Sequence, residues 1–171
     1  MSTIRMSSAL ISSMVEGTYA GNLIATSGTV ASLLSGGGSA GTSILIIYKG
    51  TVPTDFTSFT DRSTRSSDVL ITFSLGVGTV SYTNLGLVNN ARQFLVGKAL
   101  TPVAASASGT ASWFLLCRGG TTTLTDKGAL MGTVGILGSG ADYEIGNVNI
   151  VSGSNYTSAG LYLNFPTSWT F

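Results

Sequence analysis

The apolar positions of this chain change period once, at a run of glycines. Ahead of that run, Leu10, Ile11, Met14 and Val15 fall at i, i+1, i+4 and i+5, with Ile4 and Met6 upstream. That spacing predicts a short helix with one apolar face within residues 4–16, stopped by Gly17. Val30, Leu33 and Leu34 allow a further helical turn or a strand end before Gly36-Gly37-Gly38-Ser39-Ala40-Gly41 breaks the chain.

Beyond residue 42 the pattern is that of strands. Residues 43–49 (SILIIYK) are apolar on both faces, as in a central strand covered from both sides. Further strands are predicted over residues 69–75, 79–88, 94–103, 110–117, 129–137, 144–151 and 160–165. Gly, Asn, Asp or Pro punctuates nearly every gap, at the short spacing of a sandwich or barrel. Pro102 confines its strand to an edge or ends it. In TASWFLLC, alternation places Ala111, Trp113 and Leu115 on one face, with Trp113 in the core, and Ser112, Phe114 and Leu116 on the other.

No helical period follows residue 42, and no strict repeat argues for a propeller or solenoid. The expected fold is all-β: an antiparallel, jelly-roll-like β-sandwich over residues 43–171, preceded by a short N-terminal helical segment. Residues 1–42 read as a helical arm with a Gly-rich hinge, a tight surface loop being the alternative for residues 36–41. Isolated helices below about 12–15 residues are marginal in water. The arm must therefore pack on a neighbour or back on its own sandwich.

Composition narrows the function. Charged residues make up 9% of the 171, against about 25% in an average domain. The formal net charge is +1, so little repulsion keeps copies apart. Nucleic acid is not expected as a ligand, because phosphate binding needs clustered cations. The one close basic pair, Arg62 and Arg65, is flanked by Asp61 and Asp68. Nor is a membrane: apolar runs such as residues 44–48 fall far short of the roughly 18–20 residues of a spanning helix. Aromatic girdles of an outer-membrane barrel are missing as well.

Ser7, Ser8, Ser12, Ser13 and Glu16 interrupt the stretch after Arg5, so no secretory signal peptide is expected. The Gly, Ser and Thr richness nevertheless looks extracellular. A virion reconciles the two, since its proteins are made in the host cytoplasm and released by lysis.

Catalytic chemistry has few footholds. With no histidine, the commonest general base and the usual zinc ligand are missing. Cys117 ends an apolar strand, where a buried inert thiol is expected. Paired carboxylates are the remaining route, through Asp142 with Glu144, or among Asp55, Asp61 and Asp68. Residues 138–142, however, read first as a turn in which Asp142 bonds its own backbone, and the DRSTRSSD stretch reads as a solvated loop.

The glycines of residues 36–41, Gly76-Val77-Gly78 and Gly97-Lys98 lack the rest of any phosphate-binding motif. Asn155-Tyr156-Thr157 matches a glycosylation sequon, which has no meaning without secretion. Trp113, Phe114, Tyr143, Tyr156, Tyr162 and Trp169 offer a sugar-stacking platform or, more simply, core and interface anchors. No catalytic, cofactor-binding or metal residue is expected, and the chain is not expected to be an enzyme.

Four phrases, in order, resemble a family of small tailed-bacteriophage virion structural proteins. They are Thr3-Ile4-Arg5-Met6-Ser7-Ser8-Ala9-Leu10, Tyr48-Lys49-Gly50-Thr51-Val52-Pro53, Gly109-Thr110-Ala111-Ser112-Trp113-Phe114, and Gly132-Thr133-Val134-Gly135 leading to Gly138-Ser139-Gly140-Ala141-Asp142. Departures fall at turns: Leu115-Leu116-Cys117-Arg118-Gly119-Gly120 opens a longer loop than the family's, and two extra residues precede the Gly-Ala-Asp phrase.

The resemblance implies a non-enzymatic virion component, at the tail, baseplate or fibre attachment, with a capsid decoration protein as the alternative. A glycan-binding receptor module is a further alternative, carried by the aromatics. The expected partners are further copies of the chain, other virion proteins and, for the last reading, a host surface glycan.

Overall fold

The computed structural model describes residues 4–6, 43–75, 82–88, 91–96, 100–118, 122–124, 129–158 and 161–166. These residues are mostly β. The strands are β1 (Arg5–Met6), β2 (Ser43–Tyr48), β3 (Val69–Ser74), β4 (Tyr82–Val88), β5 (Ala91–Val96), β6 (Leu100–Ala104) and β7 (Gly109–Thr110). They continue with β8 (Trp113–Arg118), β9 (Leu130–Ile136), β10 (Tyr143–Ile145), β11 (Asn149–Ile150), β12 (Asn155–Ser158) and β13 (Leu161–Pro166). One nine-stranded sheet runs β3-β2-β8-β9-β10-β13-β5-β4, with β1 on β9; β11 pairs with β7 and β12 with β6 in two small sheets.

The strand expected at the centre is there. All six residues of β2 are buried, between β3 and β8. Its two faces feed two clusters. Leu45 and Ile47 join Phe114, Leu116 and Leu130 beneath residues of the small sheets, among them Leu100 and Ile150. Ile44, Ile46 and Tyr48 join Trp113, Leu115 and Met131 beneath Phe56, Phe59 and Leu124. A sheet buried on both faces must be apolar at consecutive positions, which is the pattern in β2 and β8.

Several expected strands are divided. The strand expected over residues 94–103 is β5 and β6, which belong to different sheets. The strand over residues 110–117 breaks at Ala111 and Ser112, so Ala111 packs with the first cluster and Trp113 with the second. The strand over residues 144–151 is β10 and β11 with a turn between. At the break between β7 and β8, Ala111 and Ser112 are small and fit either face, so the alternation continues through it. Pro102 lies in β6, whose sheet has two strands and is therefore all edge.

The expectation of a purely antiparallel sheet needs correction: β10 lies parallel to β9. The DRSTRSSD stretch is also more ordered than a solvated loop. It holds 3-10 turns over Arg62–Asp68, kinked at Arg65, with the Asp61 side chain accepting from Ser63 N.

Of the 1–42 segment expected to be an arm, residues 4–6 are described. Arg5 and Met6 pair with Met131 and Leu130, and Ile4 is 6% exposed within the first cluster. The helix expected on Leu10, Ile11, Met14 and Val15, and the glycines of residues 36–41, lie outside the described residues. Among those described, no helix is long and apolar enough to cross a membrane.

Candidate functional site

Backbone pairing brings the four family-like phrases into one band of the sheet. Tyr48 pairs with Trp113, and Trp113 with Thr133. Two rows along, Arg5 pairs with Met131, and Met131 with Leu115. Residues far apart along the chain thus meet across β1, β2, β8, β9 and β10.

The band is held on one face by aromatic packing. The Tyr48 and Trp113 rings stack at 4.0 Å and 6°, and Phe59 meets Trp113 edge-on at 5.6 Å. Offset stacks and edge contacts are the favoured aromatic geometries. Trp113 Nε1 donates to Lys49 O at 3.1 Å, so the indole is buried with its polar atom satisfied.

The fourth phrase builds a tight crossover. Parallel strands are ordinarily joined by a dozen or more residues; only residues 137–142 separate β9 from β10. Space for the return comes from glycine. A Cβ on Gly135 would meet Ser139 Oγ and lie 2.8 Å from Ala141 Cβ. One on Gly132 would lie 2.9 Å from Asp142 Cβ and 3.0 Å from Phe114 Cε1. Gly138 and Gly140, at φ 83° and 76°, turn the chain in the left-handed region.

Asp142 of this phrase and Glu144 of β10 are both spent on the crossover. Glu144 Oε2 accepts from Gly138 N at 3.0 Å and Oε1 from Gly140 N at 2.7 Å. Asp142 Oδ2 accepts from Thr133 N and Thr133 Oγ1, each at 2.8 Å. The expectation that Asp142 bonds its own turn is thus corrected: Glu144 serves the turn, and Asp142 serves β9. As an acid–base pair they would need to face a common space, and they are bound to different groups instead.

The other candidates are similarly occupied. Asp55 Oδ1 accepts from the backbone N–H groups and hydroxyls of Thr57 and Ser58. These bonds, led by the Ser58 N–H, hold its carboxyl down at about 2. The Ser63 N–H beside Asp61 lowers that carboxyl too. Asp68 pairs with Arg65 at 3.2 Å. Cys117 is buried, and burial pushes its thiol up to about 12, away from nucleophilic use. Among the described residues no group of three or more His, Cys, Asp or Glu is placed to hold a metal.

The six aromatics singled out do not form one exposed platform. Trp113, Phe114 and Tyr143 are at most 1% exposed. Tyr156 Oη accepts from Val151 N at 2.8 Å, pinning a loop. The Tyr162 side chain and Trp169 lie outside the described residues. Thr133 and Gly135 escaped notice as chemistry, although the Gly-x-x-Gly spacing of β9 already marked positions where another segment comes close. No family model, curated protein or solved structure matches this chain.

Proposed function

We propose that this chain is a non-enzymatic structural subunit of a tailed-phage virion, placed at the tail, baseplate or fibre attachment. One observation carries the reading: the four phrases lie together in one band of the sheet, held by the Tyr48–Trp113 stack and the Thr133–Asp142 hydrogen bonds. Tyr48, Trp113, Thr133 and Asp142 make contacts that keep a sheet in shape. A signature made of such residues suits a building block better than a catalyst. The low charge, 9% of residues with a net +1, favours close packing against neighbours. A jelly-roll-like sandwich, the form expected from the sequence, belongs to this proposal, and the cover on both faces of β2 and β8 supports it.

Labelling purified particles with an antibody to this chain, followed by electron microscopy, tests the placement. The reading expects label at the tail or its tip. Label spread over the head would assign the chain to capsid decoration instead, and unlabelled intact particles would remove the virion reading.

A further inference from the structure

β1 fills a place in the sheet that β8 and β10 leave open. β9 gives one edge to β8 along Leu130–Thr133 and its other edge to β10 from Val134 onward. At Leu130 and Met131 that second edge is taken by Met6 and Arg5, with Ile4 beside them buried in the first core cluster. Leu130 and Met131 are themselves fully buried. The seat is part of the core, and a strand has to fill it.

The strand that fills it is held by little. Among the described residues β1 makes two backbone pairings, whereas an ordinary strand has about five or six residues to pair. Arg5 Nη1 is buried with no hydrogen-bond partner, so the seat carries an uncompensated desolvation cost. Segments with so few bonds open at lower free energy than the sheet they border.

Nor does the connection tie β1 to its own chain. β2, β8, β9 and β1 lie side by side. Met6 and Ser43 are thus three strand spacings apart across the sheet, about 15 Å, which about five extended residues would cross. The connecting residues 7–42 number 36. A chain of that length can extend to about 120 Å, several times the gap.

We propose that copies of this chain associate by exchanging β1, the Ile4–Met6 strand of one copy taking the place beside Leu130 and Met131 of the next. The occupant follows from the seat. An identical segment makes the same pairings and buries the same Ile4, so exchange loses no contact. A neighbour's strand then competes with the chain's own wherever copies are concentrated. The net charge of +1 sets little repulsion against their approach. The inference rests on the self-association within the proposed function, and it names the element that carries it.

Disulfide trapping in the full chain tests it. Arg5 and Met131 are direct partners across antiparallel strands, at a Cα separation that a disulfide spans. Arg5→Cys with Met131→Cys is made in a Cys117→Ala background, and the associated fraction is isolated, oxidised and run denatured without reductant. Exchange predicts covalent dimers and larger species as the main product. Co-expression of the two single variants should likewise give a covalent heterodimer. Associated copies that run as covalent monomers, their disulfides all internal, would overturn exchange while leaving self-association in place. No disulfide at all would overturn it too, since β1 would then occupy neither seat. A chain that stays monomeric at its highest soluble concentration would overturn both the exchange and the self-association beneath it, whereas the virion reading would still be judged by labelling. Should the first pair lower the Tm, Met6→Cys with Leu130→Cys decides by the same comparison.

Discussion

Thr133 and Asp142 hold each other in both directions. The Thr133 N–H and hydroxyl donate to Asp142 Oδ2, and Thr133 Oγ1 accepts from Asp142 N at 3.1 Å. The contact falls where β9's edge has passed from β1, at Leu130 and Met131, to β10, at Val134 onward. A side chain thus fills the gap between two partner strands. Hydrogen bonds to a charged group contribute about 1.5–3 kcal/mol, and a buried N–H left unpaired costs about 1–3 kcal/mol. Asp142→Ala should therefore destabilise the chain by roughly 2–4 kcal/mol in denaturant unfolding. Asp142→Asn, which keeps an acceptor, should lose less. Equal losses would mean that the carboxylate charge, rather than the acceptor, matters here.

The glycines facing this contact should resist replacement. Gly132→Ala places a methyl group against Asp142 and Phe114, and overpacking of this kind costs about 1–3 kcal/mol. Thermal unfolding checks it, and an unchanged Tm would show that the crossover yields without strain.

Tyr48 and Trp113 stack on one another, yet they should respond differently to loss of their polar atoms. Trp113→Ala opens a cavity beneath Tyr48 and Phe59, at about 3–5 kcal/mol. Tyr48 Oη is buried without a hydrogen-bond partner, and burial pushes its phenol well above the ordinary tyrosine range. Removing an unpaired buried hydroxyl removes its desolvation cost. Tyr48→Phe should leave unfolding free energy unchanged or raise it by up to about 1 kcal/mol. A loss greater than that would mean the hydroxyl has a partner in solution.

Stability should fall at both extremes of pH. The folded Asp55 carboxyl titrates at about 2 against an ordinary 3.8. Its contribution is complete above pH 3.8 and disappears as pH falls toward about 2. Asp55→Asn should flatten the acid limb of a Tm–pH curve across that window. Cys117 is raised from 9.0 to about 12, so its contribution is complete below pH 9.0 and is lost as pH rises toward about 12. A thiol reagent at neutral pH should therefore label Cys117 only on unfolding. Rapid labelling of the folded chain would contradict its burial.

The sequence made the elements of the two-faced sheet legible where burial is continuous, as in β2 and β8. It was less informative where a strand changes sheet. Ala111 and Ser112 are small enough to suit either face, so nothing in their side chains marks the break between β7 and β8. β12 escaped because NYTS reads as turn-forming polar sequence, and it is held by partners in β6 far away along the chain. The parallel return of β10 was hidden for another reason. It depends on two carboxylates choosing backbone partners, and residue type alone does not say that Glu144 takes the turn and Asp142 takes Thr133.

The central claim, that this chain is a building block of a phage particle, is tested most directly by its copy number in gradient-purified virions, measured by quantitative mass spectrometry against the major capsid protein. The account predicts a fixed number that is a multiple of three or six and survives a high-salt wash. Hundreds of copies would move the chain from tail to capsid surface. Its absence from washed, intact particles would contradict the account.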